Sequence, residues 1–148
     1  GVDDATAWLA RREGGLFVSL NHGWLADGHA AQGHLEAARR HAAQALRRGR
    51  RRDLLGGAMA ARALARLAAD AGDRPRAERC LVRALAVAHQ RSSAHEVATT
   101  QWWRARIAWQ FGDRITARAC LEPALQAFAV MDMRWHQAEA ERLLAEIR

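Results

Sequence analysis

One pattern recurs three times along the chain: a Gly, an Ala five residues later, then an Ala-Leu pair at plus twelve and plus thirteen. The copies read Gly33, Ala38, Ala45, Leu46; Gly72, Ala77, Ala84, Leu85; and Gly112, Ala117, Ala124, Leu125. They are offset by 39 residues (33 to 72) and then 40 (72 to 112), and each Gly is preceded at minus seven by Ala26, Ala65 or Ala105. Ala145 lies 40 beyond Ala105, where a fourth copy places it. A fixed period of this length is the mark of a repeat architecture, in which each unit buries its apolar face only against its neighbours. The extended surfaces of such arrays serve binding more often than chemistry.

Each unit reads as two helices joined at its Gly. In the second, Asp53 is expected to cap a helix through LLGGAMAARALARLAADA, and Gly72 to end it in the left-handed conformation. Asp73 then caps RPRAERCLVRALAVAHQ, with Pro75 tolerated in the first turn. In that helix Ala77, Cys80, Leu81, Ala84, Leu85 and Ala88 form the buried stripe, while Arg76, Arg79 and Arg83 face water. In the third unit Ser93 and Glu96 form a capping box for a helix reaching Phe111, and its partner runs to Val130. The first unit gives helices over 16–32 and 35–48. Asp132 caps a last helix over 133–147, and residues 4–12 form a short one. Pro123 falls inside the second helix of the third unit, where a kink is expected.

The alanines have a steric meaning, because two helices approach closely only where side chains are small. Ala at minus seven and Ala at plus five are expected to face each other within one hairpin. The one at plus twelve meets the next hairpin. Ala77→Leu should then overpack the pair by ~1–3 kcal/mol. Cys80 and Cys120 occupy equivalent positions about one repeat apart, roughly 10 Å, beyond the ~7 Å that a disulfide allows. Both are read as small buried hydrophobes.

The chain of 148 residues suits one domain. It has no apolar run near the ~18–20 residues of a membrane span. Its first residues, GVDDATAWLARREGG, lack the apolar stretch of a signal peptide, so a cytoplasmic location is expected. The net charge is +7, and all 23 basic residues are Arg. Codon usage in a GC-rich bacterial genome accounts for that bias; a surface that attracts phosphate is the alternative.

Taken together, these residues resemble the tetratricopeptide repeat over about residues 16–148. That family pairs small residues on the two helices with a turn Gly, followed by Ala five and twelve residues later. The first-helix aromatic positions of the family are filled here by His22, Ala61 and Gln101 and by His29, Ala68 and Ala108. The usual repeat-ending Pro is absent. The longer period is similar to the C-terminal arrays of bacterial signalling ATPases, including LuxR-type transcriptional activators and repeat-bearing adenylate cyclases. The resemblance implies an all-α, right-handed superhelical solenoid of antiparallel hairpins over about 14–52, 53–92 and 93–131. A terminal capping helix follows over 132–148, and residues 1–13 are left as the remnant of an upstream helix.

It further implies a protein-interaction module of a larger bacterial signalling or transcription-regulatory protein, with a concave groove lined by the first helices. Carried over by register, that face holds Asp27, Arg62, Arg66, Trp102, Arg106, Trp109, Gln110, Glu139, Arg142 and Glu146. Arg62, Arg66, Trp102, Arg106, Trp109, Gln110 and Arg142 are the candidate contacts to a peptide or a neighbouring domain, with carboxylates on the arginine forks and apolar side chains on the indoles. In the opposing reading the two tryptophans pack against the next helix and the arginines are merely solvated. Trp103 and Trp135 are expected in the core, and Trp8 and Trp24 over the N-terminal end. His22 and His29, seven residues or about 10 Å of helix axis apart, are too distant to share one ion, and with His34 and His41 read as half-buried imidazoles. Arg47 to Arg52 (RRGRRR) suit a helix C-terminus. No phosphate loop or nucleophile motif occurs, so neither an enzyme, a metal nor a cofactor is expected. Nucleic-acid binding by the arginines, and a structural or dimerising spacer, are the alternatives.

Overall fold

The computed structural model describes residues 17–49 and 53–147; the expected helix over 4–12, Trp8 and Arg50 to Arg52 lie outside them. Among the described residues all regular structure is helical. The helices are α1 (Val18–Ala31), α2 (Leu35–Gly49), α3 (Gly57–Asp70), α4 (Arg74–Gln90), α5 (Ala94–Gln110), α6 (Arg114–Val130) and α7 (Arg134–Ile147). Each packs on the next, and the odd-numbered helices also pack in sequence: α1 on α3, α3 on α5, α5 on α7.

Five of the six connections are one three-residue turn. After α3, Gly72 N–H donates to Ala69 O at 2.9 Å and Asp73 N–H to Ala68 O at 2.8 Å, satisfying carbonyls that the helix end leaves bare. The same pair of bonds closes the turns at residues 33, 92, 112 and 132. The middle residue is left-handed every time: Gly33, Gly72 and Gly112 at φ 75, 76 and 75°, Ser92 at 51° and Asp132 at 52°. From residue 72 onward the turns recur every 20 residues, half the repeat.

This corrects the reading of Asp132. It occupies the left-handed turn position rather than the cap of α7, and its carboxylate accepts from Arg134 Nε at 2.9 Å. Asp73 and Asp113 do cap, accepting from Arg76 N and Thr116 N at 3.0 Å each. Ser93 accepts from Glu96 N, but the box is half made: Ser93 N–H donates to Ala88 O, and the Glu96 side chain turns inward.

Asp53 does not cap α3 either. That helix starts at Gly57 with Gly56 as its cap, and no side chain bonds there. Asp53 instead accepts from Ser19 N at 3.0 Å and from Ser19 Oγ, supplying from across the chain the cap that Phe17 cannot give α1. Ser19 Oγ in turn accepts from Gly56 N at 2.9 Å.

The alanine pairs are buried together. Ala26 and Ala38 share one cluster, Ala65 and Ala77 a second, Ala105 and Ala117 a third, all at 0 % exposure. Ala45 joins Ala60 and Ala63 of α3, and Ala124 joins Ala140 of α7, so the plus-twelve position meets the following helix. Cys120 is buried and Cys80 half-buried, both as free thiols whose pKa burial raises. Helix α6 continues through Pro123, which is exposed, as is Ala119, whose carbonyl loses its donor there. Trp135, expected in the core, is 62 % exposed, and Trp24 is exposed as well.

Candidate functional site

The odd-numbered helices pack one on the next, and a row can be read along them at the sixth residue before each turn. That row reads Asp27, Arg66, Arg106 and, 40 residues past Arg106, Glu146. Asp27 takes Arg66 Nη1 at 2.6 Å across the α1–α3 boundary. Arg106 has no such carboxylate partner among the described residues.

Two adjacent tryptophans differ from the places expected of them. Trp102 is 4 % exposed, packed in the α5–α6–α7 core with its Nε1 lacking a partner, so it is not a groove residue. Trp103, expected in the core, is half-buried: it packs against two core clusters and also lines the cleft. Guanidinium carbons of Arg66 and Arg106 lie 4.4 and 4.5 Å from its ring centre, within the range where a cation is held over an indole. Arg106 also lies 5.1 Å from the Trp102 ring. Burial, then repulsion from Arg66, lowers the pKa of Arg106, with Glu139 and Glu146 opposing the shift. Two like charges are thus concentrated over one indole.

The cleft around them encloses about 350 Å³ between α3, α5 and α7. Trp109, Ile107 and Leu143 supply apolar wall, Gln110 and Asp70 one end, and Glu146 an acidic limit. Gln110 is partly committed, since its Nε2 donates to Ala69 O at 3.2 Å.

Arg62 also leaves the expected groove. At 4 % exposure it is buried between α3 and α5, donating to Glu96 Oε2 and, at 3.1 Å, to Thr100 Oγ1. The position ten residues before the turn is buried in all three hairpins, as Gly23, Arg62 and Trp102. Both Arg62 and Trp102 therefore lie on the packed side of their helices and not in the groove expected of them. Arg142, the corresponding residue of α7, is exposed, but it pairs with Glu139 at 2.7 Å and does not line the cleft. The helical moment of α5 is weak because its tryptophans occupy two faces, so Trp103 had no clear periodic signal.

The four histidines form a ladder between α1 and α2. The rings of His22 and His41 stack at 5.3 Å, and those of His41 and His29 at 5.5 Å; His29 leans on His34 at 5.7 Å. Burial, then His41, Arg48 and Arg47, lowers the pKa of His22. No group of three or more potential ligands among the described residues is arranged to hold a metal.

The chain matches no protein-family model, no curated protein and no solved structure. No described helix is long and apolar enough to cross a membrane.

Proposed function

We propose that the chain is a tetratricopeptide-like solenoid that recognises a protein segment in the cleft between α3, α5 and α7. Its place is in the cytoplasm, as a regulatory module of a larger bacterial signalling or transcription protein. The observation that carries this reading is Trp103 flanked by Arg66 and Arg106 in an open, partly apolar cleft. An extended peptide offers a carboxylate to Arg106 and an apolar side chain to Trp103, Trp109 and Leu143. Asp27 neutralises Arg66, so Arg106 is the principal anion contact and Arg66 orients the indole.

The test is a peptide array varying acidic and aromatic positions, followed by titration of the best binder. Arg106→Glu should weaken that binder by roughly tenfold, and Trp103→Ala by a similar factor. Arg142→Glu, outside the cleft, should leave it unchanged. Equal binding by the parent and Arg106→Glu proteins would dismiss the cleft. Binding of an oligonucleotide that falls steeply with salt, untouched by either substitution, would favour the nucleic-acid reading instead.

A further inference from the structure

Helices α2 and α4 make no close backbone approach to each other; both rest on α3, and the furrow between them encloses about 360 Å³. Arg39 and Arg47 of α2 form one rim, Arg76 and Arg83 of α4 the other, above a floor that includes Leu46 and Leu64. No acidic residue lines it. Arg39 is held by Glu36 at 2.8 Å, whereas the other three have no ion pair among the described residues. Mutually repelling guanidiniums are therefore held beside an apolar strip with little to neutralise them.

Stacking geometry alone does not require this. A cavity of similar size, about 320 Å³, lies further along, between the end of α4, α5 and α6, and is walled by Val97, Pro123 and Ala127 with no arginine. One repeat on, Glu78 stands where Arg39 does and pairs with Arg104 at 3.1 Å, so a largely unneutralised arginine rim belongs to the α2–α4 furrow.

We infer that this furrow seats an acidic amphipathic helix of a partner protein. The space accepts the side chains of one apolar ridge rather than a whole helix, with Leu46 and Leu64 beneath. Along the rims, Arg76 and Arg83 are seven residues apart and Arg39 and Arg47 eight, about 10.5 and 12 Å of helix axis. Acidic residues seven apart on a bound helix repeat at the same pitch, so one such pair meets each rim. A nucleic acid fits less well: no aromatic ring lines the furrow to stack a base, and the floor offers bases no hydrogen bond.

The experiment is fluorescence anisotropy of the full chain with labelled probes of about 18 residues, five helical turns. One peptide carries a leucine ridge flanked by glutamates, a second has the same composition with the leucines scattered, and a third has Lys for Glu. A single-stranded and a duplex oligonucleotide complete the set. The amphipathic acidic peptide should bind and the other two peptides should not. The Arg76→Glu/Arg83→Glu double variant should weaken it by roughly tenfold or more, with a shallower salt dependence. Arg79→Glu, exposed on α4 but off the furrow, should change it less than about twofold. Circular dichroism and melting of the variants should match the parent, since every altered side chain is exposed. The inference fails if the acidic peptide does not bind, if the scattered peptide binds equally well, or if the double variant binds like the parent. It also fails if an oligonucleotide binds more tightly and is the probe that the double variant loses.

Discussion

Replacing Gly56 with Ala should destabilise the fold sharply, although Gly56 has φ −94°, which any residue adopts. The reason is contact between backbones. A Cβ on Gly56 would stand 1.8 Å from Ser19 O, 2.3 Å from Ser19 C and 2.8 Å from Leu20 N, where ordinary contact begins near 3.4 Å. Helix α1 would have to retreat from the start of α3 by about 1.6 Å, which is the gap between 1.8 and 3.4 Å. Gly23 seals the same contact from the other side, its Cβ position being 2.9 Å from Gly56 O. Retreat also stretches the bond from Gly56 N to Ser19 Oγ and the Asp53 cap on Ser19. Overpacking of about 1–3 kcal/mol, with about 1 kcal/mol for a lost hydrogen bond, gives a loss of roughly 2–4 kcal/mol. Urea unfolding followed by circular dichroism measures it. Gly28→Ala is the control, because nothing lies within 4 Å of its Cβ position in the last turn of α1. It should gain about 0.5–1 kcal/mol from helix propensity. If Gly56→Ala costs less than about 0.5 kcal/mol, as an ordinary surface substitution would, α1 and α3 do not touch as described.

The turns make a second, graded prediction. Ser92→Gly should stabilise by about 0.5–1 kcal/mol and Gly72→Ala should destabilise by about 1–2, both read by chemical denaturation, because both positions are left-handed. The histidine ladder sets a pH dependence. His22 is lowered from 6.5 in the fold, so the unfolded chain binds its proton first as the pH falls. Its contribution is complete above 6.5 and is lost as the pH falls below that value toward the lower folded pKa. Melting temperatures taken across this window should decline toward acid, and His22→Gln should flatten the decline; an unchanged slope would refute the assignment.

The repeat carried most of the fold in the sequence. Ala26, Ala65 and Ala105 sit opposite Ala38, Ala77 and Ala117 because only methyl-sized side chains let helices come that close, and a fixed spacing records it directly. What it did not record was anything decided across the chain. Asp53 looks like a local cap, but Ser19 lies 34 residues away and receives it. Gly56 and Gly57 look like weak helix formers, while their neighbours in space explain them as contact points. The breaks near 92 and 132 were legible, but not that Ser92 and Asp132 take the left-handed conformation, since neither residue type marks it as Gly does. In the site, Arg66, Arg106, Trp109 and Gln110 were legible from register. Arg62 and Trp102 were not, since whether one side of a helix faces a cleft or the next helix depends on rotations that spacing leaves open.

The central claim is that successive hairpins stack with their first helices side by side. A double-mutant cycle on Arg62 and Glu96 tests it most directly, because that buried pair joins α3 to α5 across 34 residues. Arg62→Met alone leaves the Glu96 carboxylate buried without its cation, costing about 3–5 kcal/mol, and Glu96→Leu strands Arg62 in the same way. The double variant should lose less than the sum of the two by about 1–3 kcal/mol. Costs that add to within about 0.3–0.5 kcal/mol, the behaviour of distant sites, would contradict the stacked arrangement.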